Sequence, residues 1–181
     1  MILYSVRDEE DIGGDKRKTA ILCAVFHILL ALSCAFIFSQ SLPNKEASKE
    51  ISLGVTDFLT PFLEPFVGKG DVTDHLVRKL AHFAEFFVFG TLSAICAILR
   101  SRLAAIRKGV NRAVKFQDYL NAAFLSLFIA LCDETIQLFT GRGSQVADVW
   151  LDFFGALCGI FAFSAVYAAI RRIRRMNKNI I

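Results

Sequence analysis

The sequence has little proline and few charged residues for its content of apolar ones. Only 3 prolines accompany 18 phenylalanines, and 55% of the residues are hydrophobic, which is above the usual fraction for a soluble domain. This composition indicates a membrane protein. The net charge of +4 is modest and gives no sign of a nucleic-acid-binding surface.

The chain also lacks a cysteine motif. All 5 cysteines lie inside apolar runs, none of them in a Cys-x-x-Cys spacing, and the count is odd. A disulfide framework or a thiolate zinc site is therefore not expected. No cleavage site made of small residues follows the first apolar run, so we interpret that run as an uncleaved membrane span instead of a signal peptide.

Four apolar stretches are each long enough to cross a bilayer as a helix, at about 19–38, 80–99, 119–139 and 149–170. The sequence therefore predicts an all-α polytopic membrane protein, a bundle of four transmembrane helices over residues 19–170. A largely unstructured head (1–18) precedes this domain and a basic tail (171–181) follows it. A further loop is expected at 100–118.

The connection at 41–78 has apolar residues near helical spacing, but Pro61 and Pro65 argue against one continuous helix. Two forms stay open for it. One is an interfacial or partly re-entrant element, and the other is an ordinary amphipathic loop helix.

The distribution of lysine and arginine predicts the orientation. There are 4 in the head, 6 in the loop between the second and third spans and 5 in the tail, against 5 between the first and second spans (39–79) and 1 in the last loop. By the positive-inside rule both termini are cytoplasmic. The polar residues at the start of the second and fourth spans and at the end of the third then lie at the same external level.

Within the spans, those polar residues form helical stripes. On the second span Arg78, His82 and Glu85 share a face, and on the third Asp133 and Gln137 are four residues apart. On the fourth, Asp152 lies above a Gly-x-x-x-Gly spacing that allows a close helix approach. Charged groups are costly in an apolar setting, so several at one level indicate a site.

These residues resemble the VanZ-like family. The resemblance rests on Arg78-Lys79-x-x-His82-x-x-Glu85-Phe86 with Gly90, followed by Asp133-Glu134-x-x-Gln137, Arg142, Asp148, Asp152 and Gly155, and it covers residues 77–159. It implies a small polytopic bacterial protein of the cell membrane, whose namesake is linked to low-level resistance to the lipoglycopeptide teicoplanin. It implies no reaction.

The candidate site residues fall into two groups. The groups suited to proton chemistry are His82, Glu85, Asp133, Glu134, Gln137, Asp148 and Asp152, and the groups suited to hold a phosphate are Arg78, Lys79 and Arg142. The expected partners are the lipid bilayer and a lipid-linked cell-wall precursor or lipoglycopeptide, with no nucleic acid. No cofactor is expected.

Several alternatives remain open from the residues alone. An enzyme would use His82 or Glu85 as a general base, and a less favoured metal site would combine His82 with Glu85, Glu134 and Asp148 as ligands. The same charges could instead only lock helix packing, or form a pocket that binds without turnover. A proton-coupled transporter is less favoured, because the charges lie at one end of the spans.

Overall fold

The computed structural model describes residues 2–43, 45–110, 114–143 and 145–178 of the chain. Over these residues it forms five α-helices and no strand: α1 (Ile2–Ser41), α2 (Lys45–Val67), α3 (Asp74–Arg107), α4 (Phe116–Phe139) and α5 (Val146–Lys178). Four segments of this part of the chain are long and apolar enough to cross a membrane: Gly13–Ser41, Asp74–Arg107, Phe116–Phe139 and Val146–Arg174. The predicted all-α architecture with four spans is confirmed for them.

Helix α3 is the centre of the bundle, because it packs against each of the other four helices and most extensively against α5. The pairing of Lys79 with Asp148, followed further along by the contact of Phe87 with Gly159, shows that α3 and α5 run parallel. Helices α1 and α4 run the opposite way. All four spans therefore bring one end to the same level.

Glycine allows α3 and α5 to touch through their backbones. A Cβ atom placed on Gly155 would lie 2.6 Å from the carbonyl oxygen of Phe83, and one on Gly159 would collide with the carbonyl of Phe87. From the other side, a Cβ on Gly90 would collide with the carbonyl of Ala156. The predicted close approach at the Gly-x-x-x-Gly spacing is confirmed, and its partner is α3.

The interior of the bundle is apolar and its outer surface is apolar too. One buried cluster contains Ile37, Phe86, Phe89, Ile129, Ala130, Val149 and Ala156, and a second contains Ala94, Ala122 and Ile160. Large hydrophobic side chains such as Leu32, Phe128 and Phe161 point outwards and are mostly exposed. An apolar surface all round the bundle is what a lipid environment requires.

The prediction of a largely unstructured head was wrong. Helix α1 begins at Ile2 and continues without a break into the first span, so the boundary expected after residue 18 falls inside a helix. The head has no proline to stop a helix that the apolar run already supports. In addition, Asp15 forms an ion pair of 2.6 Å with Arg102 at the far end of α3.

The prediction that the 41–78 connection does not contain one continuous helix across its prolines was also wrong. Helix α2 is a single helix with Pro61 and Pro65 inside it. Both prolines are exposed, and each one removes a single backbone donor from the helix without ending it. The same helix exposes Phe58, Phe62 and Phe66. That row of aromatic side chains on a helix outside the four spans agrees with the interfacial form.

Two further boundaries differ from the prediction. Helix α3 extends to Arg107, so the first part of the expected 100–118 loop is helical, and α5 extends to Lys178 through most of the expected tail. Arginine and lysine are good helix formers, so a basic segment can prolong an apolar helix beyond the membrane. Charge marks where a span leaves the apolar region and does not mark where its helix ends.

The orientation of the termini stays a prediction. We expect green fluorescent protein fused after residue 181 to fluoresce in cells, and alkaline phosphatase inserted at Gly70, between α2 and α3, to be active outside the cytoplasm. The reciprocal pair of fusions is the control. A bright fusion at Gly70 together with an active phosphatase at the C-terminus would contradict the positive-inside assignment.

The contact between α3 and α5 predicts the effect of adding one methyl group. Gly159→Ala should destabilise the protein by about 1 to 3 kcal/mol, because the gain in helix propensity is smaller than the cost of separating two packed backbones. The matched control is Gly54→Ala on α2, where a Cβ meets nothing within 4 Å and should be neutral or slightly stabilising. Thermal unfolding in detergent measures both, and equal stability of the two variants would contradict the close contact.

Candidate functional site

Four helices bring polar side chains together at one end of the bundle. The polar end is formed by the last residue of α1, the second and third turns of α3, the last turns of α4 and the first turns of α5. The glycine contact fixes its register, since Asp152 lies one turn before Ala156 and His82 two turns before Gly90. The two side chains therefore face each other across the interface of α3 and α5.

Asp133 is the most completely enclosed acid of the polar end, with no exposed side-chain surface. Its Oδ1 accepts a hydrogen bond of 2.6 Å from the Ser41 hydroxyl, and its Oδ2 accepts one of 2.8 Å from the Gln137 amide. The first bond joins α1 to α4, and the second lies within α4 at the predicted spacing of four residues. These partners fix the orientation of the carboxylate.

His82 lies between two buried carboxylates. Its Nδ1 is 3.9 Å from Oδ2 of Asp133 and 3.9 Å from Oδ1 of Asp152. Asp152 is only 1% exposed, and neither of its oxygens has a hydrogen-bond partner among the described residues. We refer to His82, Asp133 and Asp152 as the buried cluster.

The other predicted acids surround the buried cluster in different ways. Asp148 forms an ion pair of 3.3 Å with Lys79, which connects the first turn of α5 to α3. Glu134 is buried and accepts a hydrogen bond of 3.3 Å from the backbone of Gln145 in the last loop. Glu85 is half-buried, and its Oε2 has no hydrogen-bond partner within the described part of the chain.

The two predicted arginines differ in their contacts. Arg78 forms an ion pair of 3.1 Å with Asp74 and donates a hydrogen bond of 2.9 Å to Ser52, so it connects α3 to α2. Arg142, in the last loop, donates to the backbone carbonyl of Gln40. Burial and the positive charge of Arg78 lower the pKa of Arg142, while nearby carboxylates act in the opposite direction.

The structure gathers the residues that the sequence pattern selected and adds partners that the pattern missed. Ser41 and Ser52 have no special spacing, and their importance depends on contacts across 92 and 26 residues of sequence. The position of Ser41 at the end of the first apolar run was the only available signal. The metal ligands considered from the sequence are not the group that the structure assembles, because Asp133 and Asp152 take the places expected for Glu85, Glu134 and Asp148.

The arrangement can exchange a proton or hold a positive ion. A histidine flanked by two carboxylates is a group that can accept and return a proton. One ligand atom from each member of the buried cluster lies within 4.8 Å of the others, as the donors of a metal site would. The arginines and Lys79 add groups that bind phosphate or carboxylate.

A family model described as VanZ/LLP1 matches residues 24–168, which is most of the chain. The chain belongs to the VanZ/LLP1 family. The expected family is confirmed, and four apolar helices together with this membership indicate a multi-pass membrane protein. No curated protein and no solved structure matches this VanZ/LLP1 chain.

The hydrogen bond between Ser41 and Asp133 predicts a stability difference. Ser41→Ala should destabilise the protein by about 1 to 3 kcal/mol, because a fully buried carboxylate loses a donor. The matched control is Ser39→Ala, since the exposed Ser39 hydroxyl donates a hydrogen bond to the carbonyl of Phe36 in its own helix. Unfolding of both variants in detergent tests this difference, and a Ser41→Ala protein as stable as wild type would contradict it.

Proposed function

We propose that this VanZ/LLP1 protein acts in the bacterial cell envelope by binding the phosphate group of a lipid-linked precursor at its polar end. On this proposal, binding underlies protection against the lipoglycopeptide teicoplanin. The observation that carries it is the position of three basic side chains at the polar end, where Arg78 contacts α2, Lys79 contacts α5 and Arg142 contacts the end of α1. Burial lowers the pKa of Arg142 and the charge of Arg78 adds to this effect, so a bound phosphate would stabilise the charged form of Arg142.

The position of the polar end supports a lipid-borne ligand. The predicted orientation places it at the external face of the membrane, and the aromatic row of α2 lies on the helix that Arg78 connects to α3. An amphipathic helix at the interface would place a headgroup and the polar end at the same depth. Arginine forms paired hydrogen bonds to phosphate, which would add geometric selectivity.

The buried cluster supplies the proton chemistry that such a ligand would need. His82 has a carboxylate on each side, and Glu85 adds an acid on the same helix face whose Oε2 lacks a hydrogen-bond partner among the described residues. In this proposal the arginines hold the phosphate, and His82 with Glu85 accepts or returns a proton. Asp133, which Ser41 and Gln137 already hold, orients His82.

A second candidate function has an observation in its favour. Asp133 connects α1 to α4 through Ser41, and Asp148 connects α5 to α3 through Lys79. These contacts between helices are what a cluster that only locks packing would contain. The two functions differ most at Glu85, because its Oε2 has no hydrogen bond to lose.

The test compares teicoplanin susceptibility of a bacterial host that expresses wild type or Glu85→Gln at matched membrane levels. We expect wild type to protect and Glu85→Gln, which keeps the side-chain shape, to lose most of that protection while accumulating normally. Glu50→Gln is the matched control, since Glu50 is an exposed acid on α2. Vancomycin serves as the control drug.

Each outcome has a defined meaning. Equal protection by wild type and Glu85→Gln would assign Glu85 to the scaffold, and poor accumulation of Glu85→Gln would favour the packing function. If wild type gives no protection at all, the link to teicoplanin is refuted for this chain.

A further inference from the structure

From the buried cluster we infer a divalent metal site, with His82, Asp133 and Asp152 as protein ligands and a transition-metal ion such as Zn²⁺ or Mn²⁺ as the ion. This inference does not depend on the phosphate proposal: with the ion bound, Nδ1 of His82 is a ligand, and Glu85 is the acid that remains for proton exchange. It rests on the geometry of three side chains and on the unpaired state of one of them.

The donor atoms are close to the separation that a metal ion imposes. His82 Nδ1 lies 3.9 Å from one oxygen of each aspartate, and all three donor atoms lie within 4.8 Å of one another. Around a tetrahedral zinc ion with bonds of about 2.0 to 2.2 Å, ligand atoms are about 3.3 to 3.6 Å apart. Small side-chain movements would therefore close the site.

The burial of Asp152 without a hydrogen-bond partner is the observation that points to a ligand. Its side chain is 99% buried, faces His82 and has two oxygens without a hydrogen-bond donor among the described residues. A buried carboxylate without a partner is costly, and the cost falls when it is paired with a positive charge. The same lack of a partner applies to His82 Nδ1.

The surroundings match those of a metal site. Ser41 and Gln137 hydrogen-bond to Asp133 and fix its carboxylate, which is the usual role of groups behind a metal ligand. Two acids in the buried cluster supply negative charge that one divalent ion would balance. Mixed imidazole and carboxylate donors suit zinc or manganese, and three protein ligands leave a position for water or an anion.

The experiment measures metal in the full-length protein, purified in detergent with an affinity tag that contains no histidine. After equilibration with Zn²⁺ or Mn²⁺ and desalting, wild type should retain about one ion per chain, and His82→Gln and Asp152→Asn should each bind at least about tenfold more weakly. The melting temperature should rise with the bound ion in wild type and not in these variants.

His75→Gln and His27→Gln are the matched controls, because the chain contains 3 histidines and only His82 belongs to the buried cluster. Both controls should retain the ion. Binding by wild type that is no stronger than binding by His82→Gln, or equal loss in His75→Gln, would overturn the inference and leave a protonated Asp152 as the explanation of its burial.

A second variant covers the case in which His82→Gln does not fold. His82→Cys keeps a metal ligand and should give a thiolate-to-cobalt charge-transfer band with Co²⁺, which wild type, with its 5 cysteines outside the cluster, should not show. A folded His82→Cys protein without that band also overturns the inference. None of these measurements uses lipid or drug, so a failure here is separate from a failure of the teicoplanin test.

Discussion

The contact between the backbones of α3 and α5 is the constraint on which the polar end depends. Gly155 and Gly159 lie against α3, and Gly90 lies against α5, with no room for a side chain at any of the three. Because both helices run in the same direction, fixing this contact also fixes the level of every residue above it. The distance between His82 and Asp152 thus depends on the contacts of Gly90 and Gly159, which lie about two turns further into the bundle.

The two buried aspartates differ in the hydrogen bonds that they receive. Asp133 has two hydrogen-bond donors and connects helices, so it has a structural role whatever else it does. Asp152 is equally buried and no described donor satisfies it. An apolar residue in place of such a buried group is often more stable. Proteins therefore tend to retain the polar group where its chemistry is needed. The loop that carries Arg142 and the buried cluster both lie at the polar end.

Much of the architecture could be predicted from the sequence because the bilayer permits few alternatives. Twenty apolar residues in a membrane form a helix, so the four spans and the shared level of His82, Asp133 and Asp152 followed from hydropathy and spacing. The ends of the helices could not be predicted, since basic residues at Arg107 and beyond Ile170 continue a helix as readily as they end it. Neither could the contribution of Ser41, whose contact with Asp133 depends on how α1 packs. The side chains that lie next to His82 could not be predicted either, because they too depend on how the helices pack.

The parallel pairing of α3 and α5 also determines when the site is complete during biosynthesis. A ribosome delivers the chain from its N-terminus, so α3 and α4 leave it before α5 does. His82 and Asp133 consequently enter the membrane while the face of α3 around Gly90 still lacks its partner and Asp152 is still to be made. The backbone contact between α3 and α5 is thus among the last to form, and the polar end is assembled only when α5 has been inserted.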